Sequence, residues 1–542
     1  MICDDARYGR ALLGLVLLAA LLRLIGLNWD AGRGLHPDEG NLVRAALTLG
    51  VDGRLLPDFH AYNDLALWLP RLVSLPFCEG QDTPCLTLVA RVLSALASLA
   101  MVPLGAGIAR RIAGNEAGLA AALALATSGA LVQWAHFGTT ESVIALLVVL
   151  LWALAVRYLA GAMGERDLVL WSALALGIGF GFKTTAIVLS VIPVTALALA
   201  GRPDAARLRH LALMAALALF QAAFLAPSVM FATADWLGVM RFENDVVTGA
   251  LPVFWTAQFH GATDGLFELR QMWSLTTGAG LLLALVALAD RGGWRLVAPG
   301  LAFVLVYAAL TFGWHAKFVR YLSPILPVVL ILAGVGLARL LALPSRAARA
   351  AGLAGLGLMV LAGLDHASSY LRPDPRLAME ARLLALSDPD HAVAIEPYDL
   401  PQTGGRQQVL LPLADPAATP QAMAEALAQS QWILLASRRN WSVLPRQPGA
   451  APVICALYAG LSDGALGFFP VARTDRLGLF GRLFAPGLSA EETREVFDRP
   501  EVFLFHNIER LSVSDLADRL SAPREAAACA APALQQSWRR GA

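Results

Sequence analysis

Leu35-His36-Pro37-Asp38-Glu39-Gly40-Asn41-Leu42 follows directly on the first long apolar run of the chain, residues 8–27, where a helix crossing a bilayer would leave it. Adjacent carboxylates at such a mouth are costly to hold near hydrocarbon, and ionisable groups kept there mark functional sites by default. A local reading competes. Pro37 suits the first position of a new helix, and Asp38 and Glu39 in its first turn oppose the macrodipole. The stretch alone leaves both readings open, and the rest of the chain weighs between them.

The 542 residues are 57% hydrophobic and only 15% charged, with mean hydropathy +0.59. Soluble domains carry about 25% charged residues, so this is a membrane composition. Repeated apolar runs of bilayer-crossing length fill the first two-thirds. Residues 8–27 resemble a signal peptide, yet no small-residue cleavage site follows before His36 and Arg23 lies inside the run, so a retained first span is expected. A net charge of +1 without any basic block excludes nucleic acid as a partner class. The Ala, Leu, Gly and Arg bias fits a bacterial genome of high GC content. There are five cysteines and no Cys-x-x-Cys. Cys78 and Cys85 flank Glu-Gly-Gln-Asp-Thr-Pro in the first large loop, as a small disulfide in an oxidising compartment or as two free thiols.

Working outward from the acidic stretch, spans are expected at about 8–27, 87–109, 117–133, 140–160, 168–182, 184–200, 209–227, 267–289, 296–312, 322–341 and 351–368. With the N-terminus inside, the cytoplasmic loops hold Arg110 and Arg111; Arg157 and Arg166; Arg202, Arg207 and Arg209; Arg291 and Arg295; and Arg339, Arg346 and Arg349. That asymmetry is the positive-inside pattern. The fold class is therefore an α-helical multi-pass membrane protein of about eleven spans, N-in and C-out, with an external C-terminal α/β domain. The expected divisions are 1–370 (first external loop 28–86), 371–520, and a disordered tail at 521–542. Ala392–Ile395 and Trp432–Leu435 read as buried strands with a helix at 422–429 between them.

The unusual polar residues gather on the external face. Asp38 and Glu39 open the first loop; His136 and Glu141 flank the next external turn; Lys183 lies at the one after; Lys317, Arg320 and Tyr321 precede span ten; Arg91 sits in the external half of span two. Carboxylates can take a proton from a hydroxyl nucleophile or hold a metal, and cations can stabilise a phosphate leaving group. Each has a structural alternative. Thr139-Thr140-Glu141 also reads as a helix cap with an acidic first turn. Arg91 also reads as the structural partner of Glu141 or Asp38. Lys317, Arg320 and Lys183 also read as snorkelling anchors.

These residues resemble the GT-C class of membrane glycosyltransferases, within it the protein O-mannosyltransferase-like group and the aminoarabinose transferases that modify lipid A. The resemblance rests on His36-Pro37-Asp38-Glu39 after span one, on His136-Phe137-Gly138-Thr139-Thr140-Glu141, where the family usually ends in Asp, and on Phe182-Lys183-Thr184. It rests also on Arg320-Tyr321-Leu322-Ser323-Pro324-Ile325-Leu326-Pro327 and, in the C-terminal part, on Glu495-Val496-Phe497-Asp498-Arg499-Pro500-Glu501-Val502, similar to a Tyr-Asp-His-Pro-x-Val element. It implies transfer of a sugar, with inversion, from a polyprenyl-phosphate-linked donor to an acceptor hydroxyl on a protein, lipid or polysaccharide, at the external face of a bacterial inner membrane. Asp38 would be the general base with Glu39 beside it and Glu141 the second acid; Arg91, Lys183, Lys317, Arg320 and Tyr321 would serve the donor phosphate. His36 and His136 are further polar candidates. No cofactor is implied with certainty, and a divalent metal ion at the carboxylates stays open. One departure stands out. Where lipid A-modifying members tend to show Lys-Pro-Pro, this chain reads Tyr62-Asn63-Asp64-Leu65, which argues against the aminoarabinose reaction. The alternatives are a transporter or flippase of lipid-linked glycans, which would want ionisable groups at mid-membrane, and a non-catalytic membrane scaffold.

Overall fold

The computed structural model describes residues 2–201, 205–289, 292–414, 417–447, 451–486 and 490–522. The expected tail lies outside the described residues from 523 on. The first two-thirds is helical. α1 (Ile2–Leu24) leads into the first loop, which carries α2 (Pro37–Thr48) and α3 (Leu65–Ser74). α4 (Thr83–Thr127) doubles back at Ala113 and Gly114, where a φ of 86° at Gly114 needs a residue without Cβ. Its two arms, the expected spans 87–109 and 117–133, pack so closely that a Cβ on Gly118 would lie 3.0 Å from the Ala106 carbonyl oxygen. α5 (Gly129–Ala135) continues the second arm after a break at Ser128.

Arg23 explains itself at that break. It is fully buried and donates to the carbonyls of Leu125 and Ala126, which the end of α4 leaves without helical partners, and to Ser98 Oγ. A charge inside the first apolar run therefore satisfies backbone that lipid cannot satisfy.

α6 (Glu141–Leu159) and α7 (Glu165–Phe182) follow; a 3-10 turn at Thr184–Ser190 leads into α8 (Val191–Leu199), then α9 (Ala205–Leu225). The second long loop holds α10 (Ser228–Phe231) and α11 (Thr233–Thr248). α12 (Leu266–Leu275), α13 (Ala279–Ala289), α14 (Trp294–Thr311), α15 (Leu326–Ala342) and α16 (Arg346–Ser369) complete the membrane part. By length and composition α4, α6, α9, α14 and α16 are able to cross a membrane, and α12 with α13 makes a sixth if the bent pair is one span. The other apolar stretches among the eleven expected spans fall outside that count. The stretch 267–289 corrects the expectation of a single straight span. It bends by 104° at Thr276–Gly278, where Thr277 and Gly278 both take positive φ and Thr276 Oγ1 bonds back to the Met272 carbonyl.

The C-terminal part packs α17 (Pro375–Leu386), α18 (Pro420–Ala428), α19 (Pro452–Asp463) and α20 (Val513–Ser521) on one five-stranded sheet. Its strands are β1 (Ala392–Ile395), β2 (Gln407–Leu410), β3 (Trp432–Leu435), β4 (Phe468–Thr474) and β5 (Val502–Asn507), in the order β2-β1-β3-β5-β4. β1 runs parallel to β2 and β3, while β5 is antiparallel to β3 and β4. β1 and β3 are buried along their whole length, which is why they read as unbroken apolar runs. Met423, Leu427 and Leu457 cover one face of the sheet; Met379 and Leu383 cover the other. The chain order reverses between β1 and β3, and their carboxyl ends, Glu396–Leu400 and Ala436–Asn440, turn towards the first loop. In that loop Cys78 and Cys85 form a disulfide.

Candidate active site

Pro37 is the first residue of α2, and the His36 ring caps it by accepting from the Glu39 amide at 3.3 Å. The local reading of the acidic stretch is thus correct as far as it goes. Successive residues of a helix point about 100° apart, and Asp38 and Glu39 part company on that account. Glu39 turns inward and is fully buried, accepting from Arg91 and, at 2.6 Å, from the Gly138 amide. Asp38 turns the other way and pairs with Arg320, both side chains about a quarter exposed (27% and 25%).

Arg91 is 1% exposed, and its five N–H donors are all engaged: with Glu39 Oε1 and Oε2, with Asp30 Oδ1 and Oδ2, and with the Leu27 carbonyl. Its guanidinium also lies 4.7 Å from the centre of the Trp29 ring. No donor is left for a phosphate. Arg91 and Glu39 therefore brace the loop, and Arg91 departs from the expected donor contact; its partners are Asp30 and Glu39 rather than Glu141 or Asp38. Lys317 is corrected on the same ground. It is buried, and its ammonium is surrounded by Glu268, Asp264 and the carbonyls of Phe312 and Trp314, all within 2.9 Å. The histidines are structural as well. His36 packs between Phe137 and Phe497 at 4.4 and 4.1 Å, and His136 bonds the Val132 and Ile25 carbonyls while stacking on Tyr370 at 3.7 Å.

A second saturated arginine holds the site from the C-terminal side. Arg376 is 1% exposed and spends its donors on Asp374 and on the carbonyls of Leu35, Asp399 and Phe497. Asp498, beside Phe497, accepts from Gln133 Nε2 at 2.9 Å and from the Tyr370 hydroxyl. The Glu495–Val502 element is thus the clamp that seats the sheet against His36 and the α5–α6 turn.

What remains around Asp38 is a cluster of charged and phenolic groups with capacity to spare. Lys183 makes no hydrogen bond or ion pair among the described residues; its ammonium stands 5.7 Å from the Tyr62 ring centre and 6.0 Å from that of Tyr321. The charges acting most strongly on it are Glu141, Arg320, Asp38 and Glu243. Glu141, the first residue of α6 and 5% exposed, likewise has no hydrogen-bond partner among the described residues. Arg320 Nε has no hydrogen-bond partner among the described residues, and the Arg320 guanidinium carbon lies 6.0 Å from the Tyr321 ring centre. Burial alone would raise the Asp38 carboxyl, but Arg320 and His36, and to a smaller extent Arg439, hold it below its usual range. Burial raises Glu243 on α11.

Sequence reasoning missed Tyr62, Glu243 and Arg439. Tyr62 belongs to the very stretch that departs from the family pattern. Its neighbour Asn63 donates to the Phe180 carbonyl and accepts from Trp236 Nε1, and Asp64 accepts from the Ser228 amide at 2.7 Å. That stretch locks the Lys183 turn and the second loop into one wall. Arg439 lies beyond β3, pairs with Glu492 at 2.6 Å and sits 5.3 Å from the Phe497 ring centre. The metal-like group among the described residues is Asp388, Asp390 and His391, on the loop before β1. Asp38 and Glu141 belong to no such group among the described residues.

The first loop and the α5–α6 turn of a helical body thus meet against a small C-terminal sheet. Residues 86–230 match the family described as dolichyl-phosphate-mannose-protein mannosyltransferase. Among solved structures, the oligosaccharyltransferase of Archaeoglobus fulgidus superposes with a TM-score of 0.50 at 11% identity, covering 82% of this chain and 72% of that one. ArnT of Cupriavidus metallidurans, solved with undecaprenyl phosphate, gives 0.49 at 14% identity over 94% of this chain and 99% of that one. The arabinofuranosyltransferase AftD from Mycobacteria gives 0.41 at 16% identity, covering 93% and 40%. No curated protein sequence matches the chain. At such identities the likeness is one of fold.

Proposed function

We propose that this chain is an integral membrane glycosyltransferase. It moves a sugar, with inversion, from a polyprenyl-phosphate-linked donor to an acceptor hydroxyl at the external face of a bacterial inner membrane, with its C-terminal sheet on that side. The observation that carries the reading is a contrast in hydrogen-bond saturation: Arg91, Arg376 and Lys317 are fully engaged within the protein, whereas among the described residues Lys183, Glu141 and part of Arg320 are not. The family matched over residues 86–230 is named for a dolichyl-phosphate sugar donor, which suits an anion-receiving cluster at a membrane surface.

In the reaction, the acceptor oxygen attacks the anomeric carbon as its proton passes to an Asp38 oxygen. The bond from that carbon to the phosphate oxygen breaks, and Lys183 and Arg320 take up the charge on the departing polyprenyl phosphate. The Asp38–Arg320 pair gives the order of events. While Arg320 faces Asp38, the carboxylate is ionised but a weak base. A donor phosphate that draws Arg320 away removes that counter-charge, so Asp38 becomes more basic only when the donor is bound. Tyr62 and Tyr321 flank the Lys183 ammonium and limit its approach to water.

The test is to offer the purified full-length protein labelled polyprenyl-phosphate sugars one at a time and follow cleavage of the lipid-linked label. One donor consumed, with release of polyprenyl phosphate, supports the proposal. Donors bound without cleavage under every acceptor tried would favour the flippase reading.

A further inference from the structure

A cavity of two chambers lies apart from the Asp38 cluster, and none of Asp38, Glu141, Lys183 and Arg320 lines it. Its inner chamber, about 330 Å³, sits between the α12–α13 break, α16 and α5, with walls that include Leu330, Leu358, Met359 and Ala362. Non-helical backbone at membrane depth is tolerated where it lines a cavity, and the 104° bend at Thr276–Gly278 does so. Two polar atoms of residues on its wall have no partner among the described residues. They are Ser128 Oγ and His366 Nε2, on residues 7% and 9% exposed. Ala485 and Pro486 line this chamber and also an outer one of about 220 Å³, so the two adjoin.

Four arginines and four carboxylates line the outer chamber, and most of the arginine charge is answered. Arg438 pairs with Glu495, Arg482 pairs with Asp475, and Arg476 is taken up by the carbonyls of Ser369, Arg372 and Asp498. Arg499 in this chamber and Arg494 on the wall of the inner one are answered less: among the described residues neither has a carboxylate within ion-pair distance, and neither has all its nitrogens taken up by carbonyls as Arg476 does. Arg494 donates to Ser274 Oγ at 2.5 Å, and Arg499 gives one bond to the Arg494 carbonyl while its Nε stays unpartnered. Burial and the neighbouring Arg499 lower Arg494 to about 10, so this pair of cations is held together at an energetic cost that a bound anion would relieve.

The loop over the mouth is apolar at its tip. It is tied to the end of α16 by the Leu479 amide on Ser368 Oγ (2.9 Å) and the Phe480 amide on Asp365 Oδ1 (2.6 Å). That loop leaves Leu479 and Leu483 69% and 75% exposed, as residues lying in a headgroup layer do.

We infer that this cavity binds an anionic membrane phospholipid, with its phosphate on Arg494 and Arg499, part of an acyl chain in the inner chamber, and a polar group of the lipid meeting Ser128 and His366. Two neighbouring arginines without carboxylate partners, beside a chamber with one apolar wall and a loop of exposed leucines, single out that occupant over a soluble anion or a peptide. The site does not depend on the transferase reading.

Native mass spectrometry of the full-length protein in neutral detergent, titrated with dioleoyl phosphatidylglycerol or dioleoyl phosphatidylcholine, tests it. Wild type retains the anionic lipid at least about tenfold better, the scale of losing or gaining charge-assisted hydrogen bonds. R494Q/R499Q abolishes that preference, and Ala362→Phe, which fills the chamber, lowers retention of both lipids. Asp38→Asn leaves retention unchanged, so failure of the transferase reading is distinguishable from failure of this one. Equal retention of both lipids by wild type, or an unaltered preference in R494Q/R499Q, overturns the inference. So does displacement of phosphatidylglycerol by an equal concentration of glycerol 1-phosphate, which would make the site one for a soluble phosphate. Should R494Q/R499Q fail to fold, Ala362→Phe decides alone: lost retention supports the site, and unchanged retention rejects it.

Discussion

Two ionic clusters grow from neighbouring residues of one helix turn, and they behave oppositely. The Asp30–Arg91–Glu39 cluster is dry, with each side chain at most 1% exposed, and every guanidinium donor has an acceptor. The Asp38–Arg320–Lys183–Glu141 cluster is partly open, and several of its polar atoms lack partners among the described residues. A saturated buried cation has nothing left to offer a ligand, while an unsaturated one stands ready for an anion. Charge type and membrane face do not separate the two groups. Donor accounting does.

The sharpest way to break that comparison is Arg91→Gln. It leaves Asp30 and Glu39 buried without their counter-charge, which costs about 3–5 kcal/mol. Thermal melts of the solubilised protein will show a large fall, and a melt like wild type's would mean that the brace is not structural. Next comes the contrast between two lysines. Lys317→Met strands Glu268 and lowers stability by a similar amount, whereas Lys183→Met leaves the melting temperature near wild type and lowers kcat/KM by about 10²-fold, the scale of one charge-stabilising donor. Steady-state rates beside melting curves separate the two, and matching profiles would merge the clusters into one class.

The smallest effect concerns the C-terminal sheet. Glu396 is buried and raised to about 8, burial outweighing the bonds it accepts from Tyr458 and the Ala436 and Ser437 amides. An acid raised in the folded state binds a proton that the unfolded chain releases at its ordinary carboxyl pKa. Its contribution to stability is therefore lost progressively as pH rises from the usual carboxyl range to about 8. Glu396→Gln carries no such proton, so its melting temperature will fall less than wild type's between pH 5 and pH 8. Parallel curves would place Glu396 ionised throughout.

Much of this was legible in the sequence because lipid imposes strong rules. The apolar runs, the acidic pair after the first run, and the strands at 392–395 and 432–435 all follow from composition and period. The bend at Thr276–Gly278 was not legible, since its apolar flanks read as one continuous span. Nor was the division of roles between Asp38 and Glu39, which are adjacent in sequence and are told apart by burial and by the arginine each meets from a distant segment. Arg23 and Arg91 illustrate the limit well. A buried arginine with saturated donors looks, in sequence, the same as one waiting for a phosphate, because its acceptors lie far away along the chain. Tyr62, Glu243 and Arg439 join the site from three separate segments, and no local pattern ties them together.

The most direct test compares single-turnover cleavage of the labelled donor by wild type and by Asp38→Asn, with melting curves of both proteins in hand. Asp38 is not part of the saturated brace, so the variant will melt like wild type and cleave the donor at least about 10²-fold more slowly, the low end for loss of a general base. A folded Asp38→Asn protein that cleaves at the wild-type rate would contradict the account and move the base to another acid of the cluster.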